Sequence, residues 1–184
     1  EIIRKAKQDG LPITCDTAPP YFMLNELSLE NYRTFSKLSP PLRTEEDRNN
    51  IINGILDGTI DVIVSDHTPH DQDAKRLPFN QAEFGGVGLE TLLPMTLNLV
   101  KNNNLSLTKA ISLITKNPSE ILGLKTGKIS QNSEADLIVF DLEKPWKINS
   151  GSFHSKSKNS PFDGILVQGK NLMTFVRGRL VYKS

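Results

Sequence analysis

The densest chemistry in this chain sits in five residues, Asp66-His67-Thr68-Pro69-His70, which hold two of its three histidines beside a carboxylate. A carboxylate there could bind a hard or borderline cation through oxygen, or carry a proton from water to a departing amide nitrogen. The same residues also admit a bland reading, in which Asp66 caps the following turn and both histidines are solvated. Arg43 follows two prolines and precedes a helix start, so its guanidinium is a candidate two-pronged clamp for a carboxylate, or else an ordinary surface arginine. Gly85, Gly86 and Gly88 would let backbone amides approach a ligand closely, although their spacing does not match the dinucleotide fingerprint. Lys75 and Arg76 read as loop charges, and His154, in a serine- and lysine-rich tract, as exposed.

The elements that must position these groups alternate. Ile2, Ile3 and Ala6 mark a helix already under way at Glu1, which carries no initiator methionine, so a preceding segment is expected to be missing. Gly10 stops that helix, and residues 11–15 read as a short β-strand. Residues 17–43 form a long connection punctuated by Pro19, Pro20, Pro40 and Pro41, too long for a simple turn and read as functional. Thr44 is a helix cap followed by Glu45, Glu46 and Asp47, with Ile51, Ile52, Ile55 and Leu56 at helical spacing. Residues 59–65 then read as a strand buried on both faces, ending at Asp66, and α/β barrels place their chemistry at such strand ends.

Further helices are expected over about 89–100, 108–116 and 118–122. After Gly127 the pattern turns to strands over 135–140, 164–168, 172–176 and 180–182, the last two joined at Arg177-Gly178-Arg179. The division expected is residues 1–126 as α/β and 127–184 as a small β module, with the polar tract 150–160 as a surface loop.

Bulk composition narrows the partners. Hydrophobic residues make up 37% of the chain, and 22 basic side chains face 21 acidic ones. Nothing in that balance suggests disorder, nucleic acid or a membrane surface, so a small molecule is the expected partner. No apolar run approaches the ~20 residues that span a bilayer, and no signal segment is evident, so the expected location is cytoplasmic. The single cysteine, Cys15, cannot form an internal disulfide or a thiolate zinc cage and reads as core.

Three strings taken together are more specific than any one of them: Ser39-Pro40-Pro41-Leu42-Arg43-Thr44-Glu45-Glu46-Asp47-Arg48, then Ser65-Asp66-His67-Thr68-Pro69-His70, then Phe84-Gly85-Gly86-Val87-Gly88-Leu89-Glu90-Thr91. In that order and spacing the chain resembles the bacterial dihydroorotases of the amidohydrolase superfamily, as do Glu134-Ala135-Asp136-Leu137-Ile138-Val139 and Ser160-Pro161-Phe162 further on. The resemblance covers essentially the whole chain. It implies the C-terminal part of a distorted (β/α)8 metal-dependent hydrolase barrel with a small β-sandwich. The implied reaction is the reversible cyclisation of N-carbamoyl-L-aspartate to L-dihydroorotate, a step of pyrimidine biosynthesis, over a centre of one or two zinc ions.

In the family the aspartate after the last barrel strand binds metal and acts as general acid/base, which here is Asp66. The histidine four residues on contacts substrate and maps to His70. The Phe-Gly pair whose backbone meets the substrate ring maps to Phe84 and Gly85, and Arg43 joins the substrate contacts. Two departures stand out. The family's asparagine before Pro-Pro-Leu-Arg, a substrate contact, is Ser39 here, a shorter group with one hydroxyl that stands as the substrate-binding candidate at that position, and the family's Thr-Pro-His-His is Ala18-Pro19-Pro20-Tyr21.

The remaining metal ligands of the family lie upstream, so this segment is expected neither to hold a metal centre nor to catalyse on its own. The alternatives are a sister cyclic amidase, an allantoinase or hydantoinase, and a non-catalytic dihydroorotase-like scaffold for aspartate carbamoyltransferase. A homodimer or a complex with that transferase is the expected assembly.

Overall fold

The computed structural model describes residues 1–184, and the chain divides into two compact units: Glu1–Leu92 with Ile148–Ile165, and Leu93–Lys147 with Leu166–Ser184. The boundary expected after residue 126 falls inside the second unit, and the first unit takes back the segment from Ile148 to Ile165.

In the first unit, helix α1 (Ile2–Gln8) ends at Gly10, whose φ of +78° has no steric cost without a Cβ. The strand expected over 11–15 forms one step later, as β1 (Asp16–Thr17), parallel to β2 (Val62–Ile63). Residues 11–15 have no ladder partner of their own; Cys15 instead receives the Asp61 N–H on its carbonyl and gives its own N–H to the Asp61 carboxylate. Its thiol is half-buried and donates to the Thr59 carbonyl. The long connection contains helix α2 (Pro19–Met23) and two 3-10 turns.

Helix α3 (Glu45–Leu56) starts as the sequence dictates. The Thr44 hydroxyl accepts from the Asp47 N–H at 3.2 Å and the Asp47 carboxylate accepts from the Thr44 N–H at 3.3 Å, a reciprocal cap that satisfies two otherwise orphaned donors. Its Ile52 and Ile55 are buried, and Ile60, Val62, Ile63, Phe22, Leu42 and Phe162 belong to the buried set of the same unit. Helix α4 (Gln72–Arg76) follows the Asp66–His70 loop.

In the second unit, α5 (Leu92–Asn102) is preceded by a 3-10 turn, and α6 (Leu107–Ile114) and α7 (Lys116–Ile121) follow. Its sheet is one antiparallel layer: β3 (Leu137–Lys147), β4 (Leu166–Val176) and β5 (Arg179–Lys183). The two strands expected over 164–168 and 172–176 are one continuous β4. The β4–β5 turn has Arg177 at φ +48° and Gly178 at φ +75°, the two consecutive positive values that a tight hairpin turn of matching twist requires. No helix is long and apolar enough to cross a membrane.

Candidate active site

Strand β2 delivers the chain into Asp66, and the backbone there is strained: Asp66 has φ +46°, a left-handed conformation that costs a non-glycine residue on the order of 1 kcal/mol. Aspartate tolerates that region better than most residues. The loop is locked from the other side by Gly88, because a Cβ there would lie 2.0 Å from the Ser65 carbonyl oxygen. Gly88 also donates its N–H to His67 Nδ1 at 3.2 Å, so His67 is a strap between two loops and not a solvated side chain.

Two clusters emerge. The first is a cavity of about 520 Å³ whose walls include Asp16, Tyr21, Ser39, Arg43, Asp47 and Asp66. It brings a carboxylate, a hydroxyl and a guanidinium from three separate stretches of chain to one opening. Arg43 is 71% exposed at its side chain and sits 3.8 Å from Asp47, a loose surface pair that leaves its guanidinium available. Tyr21 donates its hydroxyl to the Pro40 carbonyl at 3.1 Å. Burial, reinforced by the negative charge of Asp66, pushes its phenol up to about 12, so it stays a proton-bearing donor across the physiological range.

The second cluster holds His70, Phe84 and Gly85. His70 Nε2 donates to the Phe84 carbonyl at 2.7 Å, which commits that nitrogen as the protonated one. Gly85 has φ +120°, and a Cβ there would lie 2.5 Å from Thr68 Cγ2, so only glycine fits. Its N–H donates to the Lys37 carbonyl at 3.0 Å. These three residues do not line the 520 Å³ cavity; a narrower cleft that includes Asp66, Gly86, Gly88, Pro20 and Phe162 runs beside it.

Residues that sequence reasoning missed stand behind the second cluster. Asn159, in the tract taken for a surface loop, is 2% exposed. Its Oδ1 accepts from the His70 N–H at 3.4 Å, and its Nδ2 donates to the carbonyls of Gly85 and Thr68 at 3.3 and 3.5 Å. The tract is therefore the tie between the two loops. Lys75 is likewise no loop charge, being fully buried with its ammonium among backbone carbonyls. A helical face that buries Lys75 beside Ala74 gives no warning, since lysine is among the residues least often buried. The adjacency of Asn159 to Ser160-Pro161-Phe162 was the one available signal.

As to a metal, no group of three or more His, Cys, Asp or Glu side chains in these residues could hold an ion. Asp66 can supply one oxygen ligand, which is short of the three or four that a zinc site takes from its protein.

A parallel strand pair leading to a strained aspartate, helices, and an antiparallel sheet in the second unit make a mixed α/β chain, and sequence comparison decides its family. The chain belongs to the amidohydrolase family, whose sequence model matches residues 1–181. It is 49% identical over 184 residues to a dihydroorotase of Anaplasma phagocytophilum and 44% identical over 183 residues to one of Ehrlichia chaffeensis. In each case it is matched over its full length and spans 41% of the relative's. Among solved structures it is similar to the L-hydantoinase of Arthrobacter aurescens, with TM-score 0.91 and 32% identity over 99% of this chain and 42% of that one. The dihydropyrimidinase of Brevibacillus agri, at 23% identity, shares the fold with the same TM-score over 98% of this chain and 41% of its own. The fold class read from the sequence is thus the observed one, a mixed α/β portion of an amidohydrolase.

Proposed function

We propose that this chain is the C-terminal part of a dihydroorotase, hydrolysing the cyclic amide of L-dihydroorotate to N-carbamoyl-L-aspartate and reversing that reaction. The observation that carries the reading is the cavity lined by both Asp66 and Arg43, a proton carrier and a carboxylate clamp, in a chain whose full length matches dihydroorotases at 40–49% identity. Dihydroorotate offers the complement, a ring amide and a carboxylate.

In this reading Arg43 holds the substrate carboxylate, and Ser39 and the Tyr21 hydroxyl offer the nearby polar contacts. His70 and the Phe84–Gly85 backbone meet the ring. Water's oxygen bonds to the ring carbonyl carbon and the carbon–nitrogen bond breaks. Asp66 takes the proton from that water and passes it to the leaving nitrogen, which becomes the terminal NH2 of the carbamoyl group. Zinc dependence is proposed for the longer protein, with Asp66 its one ligand from these residues; the proton path does not run through the metal. A soluble, cytoplasmic enzyme, assembled as a homodimer or with aspartate carbamoyltransferase, completes the proposal.

The likeness to an L-hydantoinase at 32% identity favours one rival, a sister cyclic amidase. The test is a substrate panel on the full-length protein that carries these residues. Turnover of dihydroorotate and carbamoyl aspartate, abolished by a chelator and by Asp66→Asn, is the expected result. Turnover of hydantoins or allantoin alone selects the rival, and no turnover by folded, zinc-supplied protein selects a scaffold.

A further inference from the structure

Two lysines, Lys37 and Lys75, are buried without a carboxylate partner. Neither forms an ion pair, yet Lys75 is 0% exposed and Lys37 is 7% exposed. Burying an ammonium is unfavourable unless its protons find acceptors. Here the acceptors are backbone carbonyls, all but one of them in the short segment 79–85. Lys75 Nζ donates to Glu83 at 2.7 Å, to Gly85 at 2.9 Å and to the carbonyl of Lys37 at 3.3 Å. Lys37 Nζ donates to Phe79 at 2.7 Å, to Ala82 at 2.6 Å and to Asn80 at 3.4 Å, and lies 4.4 Å from the centre of the Phe84 ring.

The consequence is orientational. In a trans peptide the C=O and N–H point in opposite directions. Turning the Glu83 and Gly85 carbonyls onto Lys75 therefore turns the N–H groups of Phe84 and Gly86 to the other side. The peptide between them is fixed as well, by His70 Nε2 on the Phe84 carbonyl and by the Lys37 carbonyl on the Gly85 N–H. Asn159 adds a second donor to the Gly85 carbonyl. Three consecutive peptide planes are thus held, and the group common to the first and third is the Lys75 ammonium. An apolar side chain of similar length could fill the space but could not aim the carbonyls.

We propose that Lys75, supported by Lys37, is a positioning residue: its buried ammonium sets the direction of the Glu83–Phe84 and Gly85–Gly86 peptides, and so of the segment around Phe84 and Gly85 that meets the cyclic amide of the substrate. The inference rests on the reading that gives this segment a substrate contact, and its test separates the two. In the full-length protein, Lys75→Met and Lys37→Met are compared with wild type for KM and kcat on dihydroorotate and for amide hydrogen exchange over 79–86. For Lys75→Met the expected result is a KM raised roughly tenfold or more with kcat changed less than about threefold, the pattern of lost ground-state binding. Exchange over 83–86 should quicken on the order of tenfold while α3 is unchanged, with a smaller effect of the same kind for Lys37→Met.

A folded Lys75→Met with wild-type KM overturns the proposal, whatever its exchange. Should that variant fail to fold, Lys75→Gln, which keeps a neutral donor, is read by the same two measurements and the same criterion. If wild type does not turn over dihydroorotate, the functional reading fails by itself. Exchange then still judges the clamp, and unchanged exchange over 83–86 overturns it.

Discussion

The two halves of the candidate site are built in opposite ways. Around the 520 Å³ cavity the chemistry lies in side chains, and those side chains are exposed: Asp66, Ser39 and Arg43 are all open to solvent, and the only ion pair on Arg43 is loose. Around Phe84 and Gly85 the useful groups are main-chain ones, held from behind by the buried side chains of Lys37, Lys75 and Asn159. A side chain that must reach a substrate can be anchored through its own backbone. A peptide group has no stem of its own, so its direction must be imposed by partners from elsewhere in the chain, and those partners must be buried to be effective.

If this contrast is right, substitutions on the cavity side should change catalysis without changing stability, and those on the peptide side should change both. The largest effect is expected from Asp66→Asn in the full-length protein, a loss of roughly 10²–10⁴ in kcat with an unchanged unfolding midpoint; near-normal turnover would remove Asp66 from the mechanism. Next is Gly88→Ala. Its Cβ would meet the Ser65 carbonyl, a backbone atom with little freedom to yield, so about 2–4 kcal/mol of stability should be lost in urea unfolding. Gly10→Ala, with open space but φ +78°, should cost clearly less.

Lys75 supplies a pH test of the buried side. Burial first, and the neighbouring Lys37 charge second, push its ammonium down to about 8 from the usual 10.5, while Glu83 opposes them. Between those two values the unfolded chain binds more protons than the folded one, so stability should rise with pH across that window. A gain on the order of 2 kcal/mol is expected between pH 8 and 10.5, and Lys75→Met should lose it. An equal slope in both proteins would refute the assignment.

Arg43→Met should raise KM for dihydroorotate about tenfold while leaving stability within about 0.5 kcal/mol, as expected for an exposed side chain. The smallest effect is Thr44→Ala, about 1 kcal/mol from the lost cap, with KM unaffected even though Thr44 also borders the cavity. A larger change in KM would mean that the cap positions Arg43, and the contrast between the two halves would need redrawing.

Much of this was legible in the residues themselves. Thr44 and Asp47 announced the start of α3 because a capping pair is a local pattern, and Arg177-Gly178 announced its hairpin for the same reason. The order of the three strings carried the family, and with it Asp66 at a strand end. Local rules also misplaced things. Residues 11–15 have strand-forming types, but the ladder with Val62 and Ile63 engages Asp16 and Thr17, since register depends on the partner strand.

The sequence by itself therefore determined the family, the capped start of α3, the hairpin turn at Arg177-Gly178 and most of the groups able to do chemistry, all of which depend on residue type and near neighbours. Only the tertiary structure decided that Ser39, Arg43 and Asp66 share one cavity and that His70, Phe84 and Gly85 form a separate cluster. It alone decided that Asn159 reaches back 89 residues to His70, and that two lysines serve as buried donors. The reason is physical: a hydrogen-bond partner is chosen by where the folded chain passes, and lysine and asparagine carry no mark that tells a buried, fully satisfied one from a solvated one until their acceptors arrive.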